Sequence, residues 1–198
     1  MSFRLSDVEK RDLLKAWAAI SFAFAIAFGG GLQSLFADLR FFLSFAVAGL
    51  TVGIGFIAHE LSHKVTALKY GCKAEFRSFD NMLMLAIVFS FFGFILAAPG
   101  GVFIKGHVTK EQNGKISAAG ILANIVVALL FIILAYSFPF TAVKIVSAYG
   151  VLINSWLAIF NLLPFLNFDG TKVMAWNKLA WGAMLAAAIG LMLSARVI

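Results

Sequence analysis

An uncharged run from Phe41 to Ala58 ends in His59-Glu60-Leu61-Ser62-His63, and this junction constrains the chain more than any other stretch. Roughly 20 apolar residues cross the hydrocarbon core of a bilayer as a helix. Positions i and i+4 of a helix share a face, so His59 and His63 can offer imidazole nitrogens to one metal ion. Glu60 sits beside them on a neighbouring part of the helix surface, close enough to act on a metal-held water without being a ligand. Charged and metal-binding side chains are costly at membrane depth and are found there for function. The expectation is a hydrolytic metal site inside a bilayer.

The rest of the sequence suits that setting. Of its 198 residues, 62% are hydrophobic and 13% charged, against about 25% charged in soluble domains. A water-soluble core could not hide so much apolar surface, so the chain reads as a polytopic membrane protein. Its net charge of +7 does not point to nucleic acid. The basic residues lie between apolar runs, where they set topology, and no aromatic–basic surface pattern accompanies them. The single cysteine, Cys72, excludes an internal disulfide and reads as a small filler near a span end. Residues 16–37 form an apolar stretch longer than a secretory h-region with no clean cleavage site after it, which predicts a retained span.

Five stretches are long enough to cross, at about 16–37, 41–63, 116–138, 145–168 and 179–195. Ser6 with Glu9 three positions later has the form of a capping box and predicts a short interfacial helix before them. Lys64–Asp80 is polar enough to lie outside lipid, with short extended pieces. A sixth apolar run, 82–104, is interrupted by Ala97-Ala98-Pro99-Gly100-Gly101. Proline removes a backbone donor and glycine weakens helix, and irregular backbone at membrane depth is tolerated where protein buries it or it lines a wet cavity. With a cytoplasmic N-terminus and a re-entrant 82–104, the Lys and Arg residues divide 13 inside to 3 outside; if 82–104 crosses, they divide 10 to 6. The positive-inside rule favours the re-entrant arrangement. The expected fold is therefore an all-α polytopic membrane protein with about five to six transmembrane helices and a re-entrant Pro-Gly-Gly segment. It forms one membrane-embedded domain over 1–198, multi-pass and in the cell membrane, with its N-terminus and active-site side cytoplasmic.

Catalytic zinc usually has three protein ligands and one open position. Besides His59 and His63, the candidate is Asp169, in Asn161-Leu-Leu-Pro164-Phe-Leu-Asn-Phe-Asp169-Gly170. In the re-entrant topology the span carrying the histidines and the span ending at Asp169 run in the same direction, so their functional ends meet on the cytoplasmic side. An Asp-Gly pair also makes turns and caps helices. His107 is the alternative third ligand, in a loop where an exposed histidine is the simpler reading.

HELSH (59–63) and NLLPFLNFDG (161–170), taken together, resemble the signature of the site-2 protease family of intramembrane zinc metalloproteases. Ala118-Ala-Gly-Ile-Leu-Ala-Asn124 is similar to that family's Ala-Gly-Pro-x-x-Asn helix, and AAPGGVFI (97–104) looks like a segment of archaeal members. The likeness covers about 41–175, the motif-bearing core. It implies one zinc ion held by His59, His63 and Asp169, with Glu60 as general base. It also implies that Asn161 lies near the metal and places the substrate carbonyl. Asn124 reads as structural, packing with Gly120 against a neighbouring helix, and Pro164 as the break that turns Asp169 toward the metal. The chain departs from the pattern at Ile121, Leu166 and Phe168, none of them a ligand or the base.

The implied activity is hydrolysis of peptide bonds in or near the transmembrane segments of other membrane proteins. Such a substrate must be unwound and held extended, and a strand at Pro99-Gly100-Gly101 is a candidate edge for strand addition. The competing reading is a zinc-binding membrane protein that does not cleave, a transporter or a sensor. Glu60 separates the two: a transporter can use it as a ligand, whereas a protease needs it as a base.

Overall fold

The computed structural model describes residues 3–29, 31, 38–95 and 99–198. The end of the first apolar stretch (30 and 32–37) and Ala97-Ala98 of the expected re-entrant segment lie outside them. The elements are α1 (Asp7–Phe28), α2 (Asp38–Ala48), a π-helical segment (Gly49–Gly53), α3 (Ile54–Lys69), β1 (Lys73–Ser78), α4 (Asp80–Ser90), β2 (Gly100–Lys105), α5 (Lys110–Ser137), α6 (Thr141–Asn161), α7 (Asp169–Trp176) and α8 (Lys178–Ser194). Among the described residues, three helical stretches are long and apolar enough to cross a membrane: Leu39–Lys69, Lys110–Ser137 and Thr141–Asn161. Their length and composition are those of a helical membrane protein.

Packing separates two compact units. One comprises Arg4–Ile57 and Glu75–Phe103. In it, α1 begins where the sequence predicts, with the Ser6 side chain accepting from Glu9 N–H. The helix is not a short interfacial piece, however, but runs unbroken for 22 residues. The capping box is only half formed. Glu9, fully buried, turns its carboxylate to the backbone N–H of Phe76 at 3.0 Å, and Asp12 accepts from Ser78 N–H at 3.4 Å. In a strand, alternate amides point to one side, so these two carboxylates cover one edge of β1. Lys15 donates to Asp80 at 2.5 Å and, with Ser78, holds its carboxyl below the ordinary range. The π-helical segment interrupts the long helix at Gly49, whose carbonyl accepts from Trp17 Nε1 at 3.1 Å. π-Segments recur near functional sites.

Run 82–104 is not one crossing helix. Helix α4 occupies its first part, and past Pro99 the chain becomes β2, paired with β1 in a two-stranded sheet. Phe79 N–H donates to Pro99 C=O and Cys72 lies against Gly106, so the strands are antiparallel. This sheet qualifies the all-α expectation. Proline and paired glycines are poor in a helix and leave an extended backbone whose amides need a partner strand. Among the described residues, the second edge of β2 has no strand beside it.

The other unit comprises Ala58–Ala74 and Ile104–Ile198, with Phe3. Thr109 and Gln112 form a complete capping box at the start of α5. Ala118, Ile121 and Ile125 of α5 pack with Ala158 and Leu162, Val173 of α7, and Met184 and Ala188 of α8. Lipid chains are as apolar as leucine, so this core gains close packing rather than release from water. Helix α6 ends at Asn161, as Pro164 demands, and α7 begins at Asp169. In the connection, Leu166 takes φ +54°, a left-handed conformation that costs a non-glycine residue roughly 1–2 kcal/mol. A Cβ on Gly170 would collide with the Leu162 carbonyl. Only glycine allows α7 to start so close to the end of α6, and that approach fixes where Asp169 stands.

Candidate metal centre

His59, Glu60 and His63 lie on α3 and Asp169 is the first residue of α7; all four are buried. The rings of His59 and His63 meet through their Nε2 atoms, 2.9 Å apart. Asp169 Oδ2 lies 3.3 Å from His59 Nε2 and 3.0 Å from His63 Nε2. Two imidazole lone pairs and a carboxylate oxygen thus face one point, and the group can hold a metal ion. The other Asp169 oxygen, Oδ1, is 3.3 Å from Lys172 Nζ.

The remaining ring nitrogens are engaged from α5. His63 Nδ1 lies 2.8 Å from the carbonyl of Ile116, and His59 Nδ1 lies 2.7 Å from Asn124 Oδ1. A carbonyl oxygen only accepts, so Nδ1 carries a proton in both rings, and each ring in its neutral form has its lone pair on Nε2. Outer partners of this kind fix the tautomer and orientation of ligating histidines. Between the two anchors sits Gly120. A Cβ there would come 2.6 Å from His63 Nε2 and 2.8 Å from His59 Cε1. Ile116, Gly120 and Asn124 repeat every four residues and form one stripe of α5: a carbonyl, a gap and an amide.

The chain is similar to a protein of Methanocaldococcus jannaschii whose curated name is "Putative zinc metalloprotease MJ0611", with 40% identity over 194 residues and 96% of each chain covered. The chain belongs to this zinc metalloprotease family. It is also 28% identical over 130 residues to a second protein of that organism, "Zinc metalloprotease MJ0392", covering 65% of this chain but 33% of that one. No protein-family model and no solved structure matches it.

Glu60 keeps one carboxylate oxygen, Oε2, buried with no hydrogen-bond partner among the described residues. A buried acceptor without a donor is costly, and this one adjoins His59 in sequence on the same helix. His107 is exposed and stands outside the metal-binding group. Asn161 donates from Nδ2 to the Leu157 carbonyl of its own helix at 2.9 Å. Reading the sequence assigned Asn124 to helix packing, whereas its amide faces a histidine of the metal group. Lys172 counts in the sequence only among the inner basic residues that set topology, although a basic residue three positions after Asp169 on a helix start is a visible pairing signal.

Proposed function

We propose that the chain is an intramembrane zinc metalloprotease of the site-2 type, cleaving peptide bonds in or near transmembrane segments of membrane proteins. The observation that carries this is the convergence of His59 Nε2, His63 Nε2 and Asp169 Oδ2, together with the buried Glu60 Oε2 that has no hydrogen-bond partner among the described residues. The donor set fits zinc. Bonds of about 2.0–2.2 Å in tetrahedral geometry set ligand atoms about 3.3–3.6 Å apart, a few tenths of an ångström beyond the observed 2.9, 3.0 and 3.3 Å. Three electron-rich atoms this near one another repel unless positive charge lies among them.

Zinc bound there supplies Lewis acidity and lowers the pKa of a water it holds. The chain's own groups do the rest. Glu60 takes the proton of the attacking water and passes it to the leaving amine. His59 and His63 keep their Nε2 lone pairs forward because Asn124 and Ile116 occupy Nδ1. Asn161 places the substrate carbonyl, using the second N–H of an amide whose first is tied to Leu157. The bare edge of β2 takes up the unwound substrate by strand addition, since Glu9 and Asp12 already cover the far edge of β1. A Cβ at 101 would meet nothing within 4 Å, whereas one at 100 would strike Phe76 and the Arg77 carbonyl. Gly101→Val therefore tests the edge without breaking the sheet, and unchanged cleavage would remove the strand from the mechanism.

The proposed topology has five to six spans, a re-entrant 82–104 and a cytoplasmic N-terminus in the cell membrane. The transporter or sensor reading makes the opposite prediction at one residue. Glu60→Gln should keep a full complement of zinc and abolish proteolysis. Loss of zinc in that variant would make Glu60 a ligand and favour transport.

A further inference from the structure

Asn124 can orient His59 only if its own amide cannot turn over. A flipped amide would present Nδ2 to His59 Nδ1. The ring would then have to accept there and carry its proton on Nε2, where no metal could bind. What prevents the flip lies on α6. Asn124 Nδ2 donates to Asn154 Oδ1 at 3.2 Å, and Asn154 Nδ2 donates to the carbonyl of Gly150 at 2.9 Å. Asn124 and Asn154 are both fully buried.

The direction of every link follows from the last one. The Gly150 carbonyl has no proton to give, so it must face the Asn154 NH2 group. That leaves Asn154 Oδ1 to face Asn124, which must answer with its NH2. Asn124 Oδ1 then faces His59 and accepts its Nδ1 proton. A backbone carbonyl on α6 thus dictates the tautomer of a side chain on α3 through two amides. His63 needs no such relay, because a backbone carbonyl meets it directly.

We propose that Asn154 is a positioning residue for the metal centre: it locks the Asn124 amide and so leaves His59 Nε2 free to ligate. This rests on the reading of His59 as a metal ligand. It assigns a function to a residue outside both motifs. An ordinary helix-packing role for Asn154 would also weaken the protein when it is replaced, so the test must report on polarity rather than on packing.

Three variants do so: Asn154→Leu, Asn124→Asp, and the two combined. Leucine removes the lock at similar volume. An aspartate at 124 can only accept, so it holds the Nδ1 proton of His59 without any lock. Zinc affinity is read by competition with a chromophoric chelator in detergent. The tautomers are read on metal-free protein labelled with 15N-histidine, at a pH where the rings are neutral. The chain has three histidines, so the signals are assigned with His63→Gln and His107→Gln. In wild type, His59 should carry its proton on Nδ1. Asn154→Leu should lower zinc affinity about 10- to 100-fold, the usual worth of an outer partner, and populate the Nε2–H form of His59 while His63 stays unchanged. The double variant should return to within about twofold of wild-type affinity, the scatter of additive effects.

A wild-type His59 protonated on Nε2 would overturn the proposal, even if Asn154→Leu fails to fold. So would an Asn154→Leu protein that binds zinc as wild type does, or a double variant no better than Asn154→Leu. Wild-type protein that binds no zinc would instead refute the metal reading, and the tautomer spectra would still decide the relay.

Discussion

Replacing Gly120 by alanine adds one carbon, and the structure states what that carbon meets. It would lie 2.4 Å from His63 Cε1, 2.6 Å from His63 Nε2 and 2.8 Å from His59 Cε1, roughly 0.6–1.0 Å inside the 3.4 Å where ordinary contact begins. The Cβ cannot retreat, because it is fixed to the α5 backbone. The rings cannot retreat cheaply either, because their Nδ1 atoms are tied to Asn124 and Ile116 at 2.7 and 2.8 Å. Overpacking at a tight site costs about 1–3 kcal/mol. If that strain falls on the ligating geometry, zinc affinity drops about five- to 150-fold. The assay is chelator competition on purified protein in detergent, with circular dichroism to show that the helices persist. Gly182→Ala on α8 is the control, since its Cβ would meet nothing within 4 Å and alanine favours a helix by about 1 kcal/mol. A Gly120→Ala protein that binds zinc within twofold of wild type would refute the placement of the two rings against α5.

Other consequences follow from single contacts. Asp169→Ala removes the third donor and should weaken zinc by more than about 100-fold, because outer partners alone are worth about 10- to 100-fold; the same chelator titration measures it. Glu9→Leu leaves the Phe76 N–H buried without its carboxylate and should cost about 1–3 kcal/mol, read as a fall of several degrees in the thermal midpoint. Glu9→Gln keeps an acceptor oxygen and should lose far less.

The parts of this site that depend on spacing were visible in the chain. Two histidines four apart share a helix face wherever that helix goes, and a carboxylate after Pro164 was the available third donor. The break between α6 and α7 was likewise announced by Pro164. Parts that depend on which helices touch were hidden. Nothing in the sequence says that Asn124 meets His59 rather than another helix, and Asn154 gave no signal, because a lone amide in an apolar helix has no partner until the bundle forms. Gly120 is one of seventeen glycines, and only the two rings above it explain it. Glu9 imitated a capping box and proved to serve the edge of β1. The two strands lie where extended pieces were expected, within Lys64–Asp80 and from Pro99 onward, but their pairing was hidden because Gly100–Lys105 continues an apolar run and lacks the alternation of a half-buried strand.

The most direct test of the account is cleavage itself. Purified protein in liposomes, incubated with a panel of single-span membrane proteins, should yield fragments whose new termini map by mass spectrometry inside or beside the apolar span. A chelator should stop the reaction and added zinc restore it, with no products from Glu60→Gln. Fragments that persist with chelator or with Glu60→Gln, or a wild-type protein that binds zinc and cuts none of the panel, would contradict it.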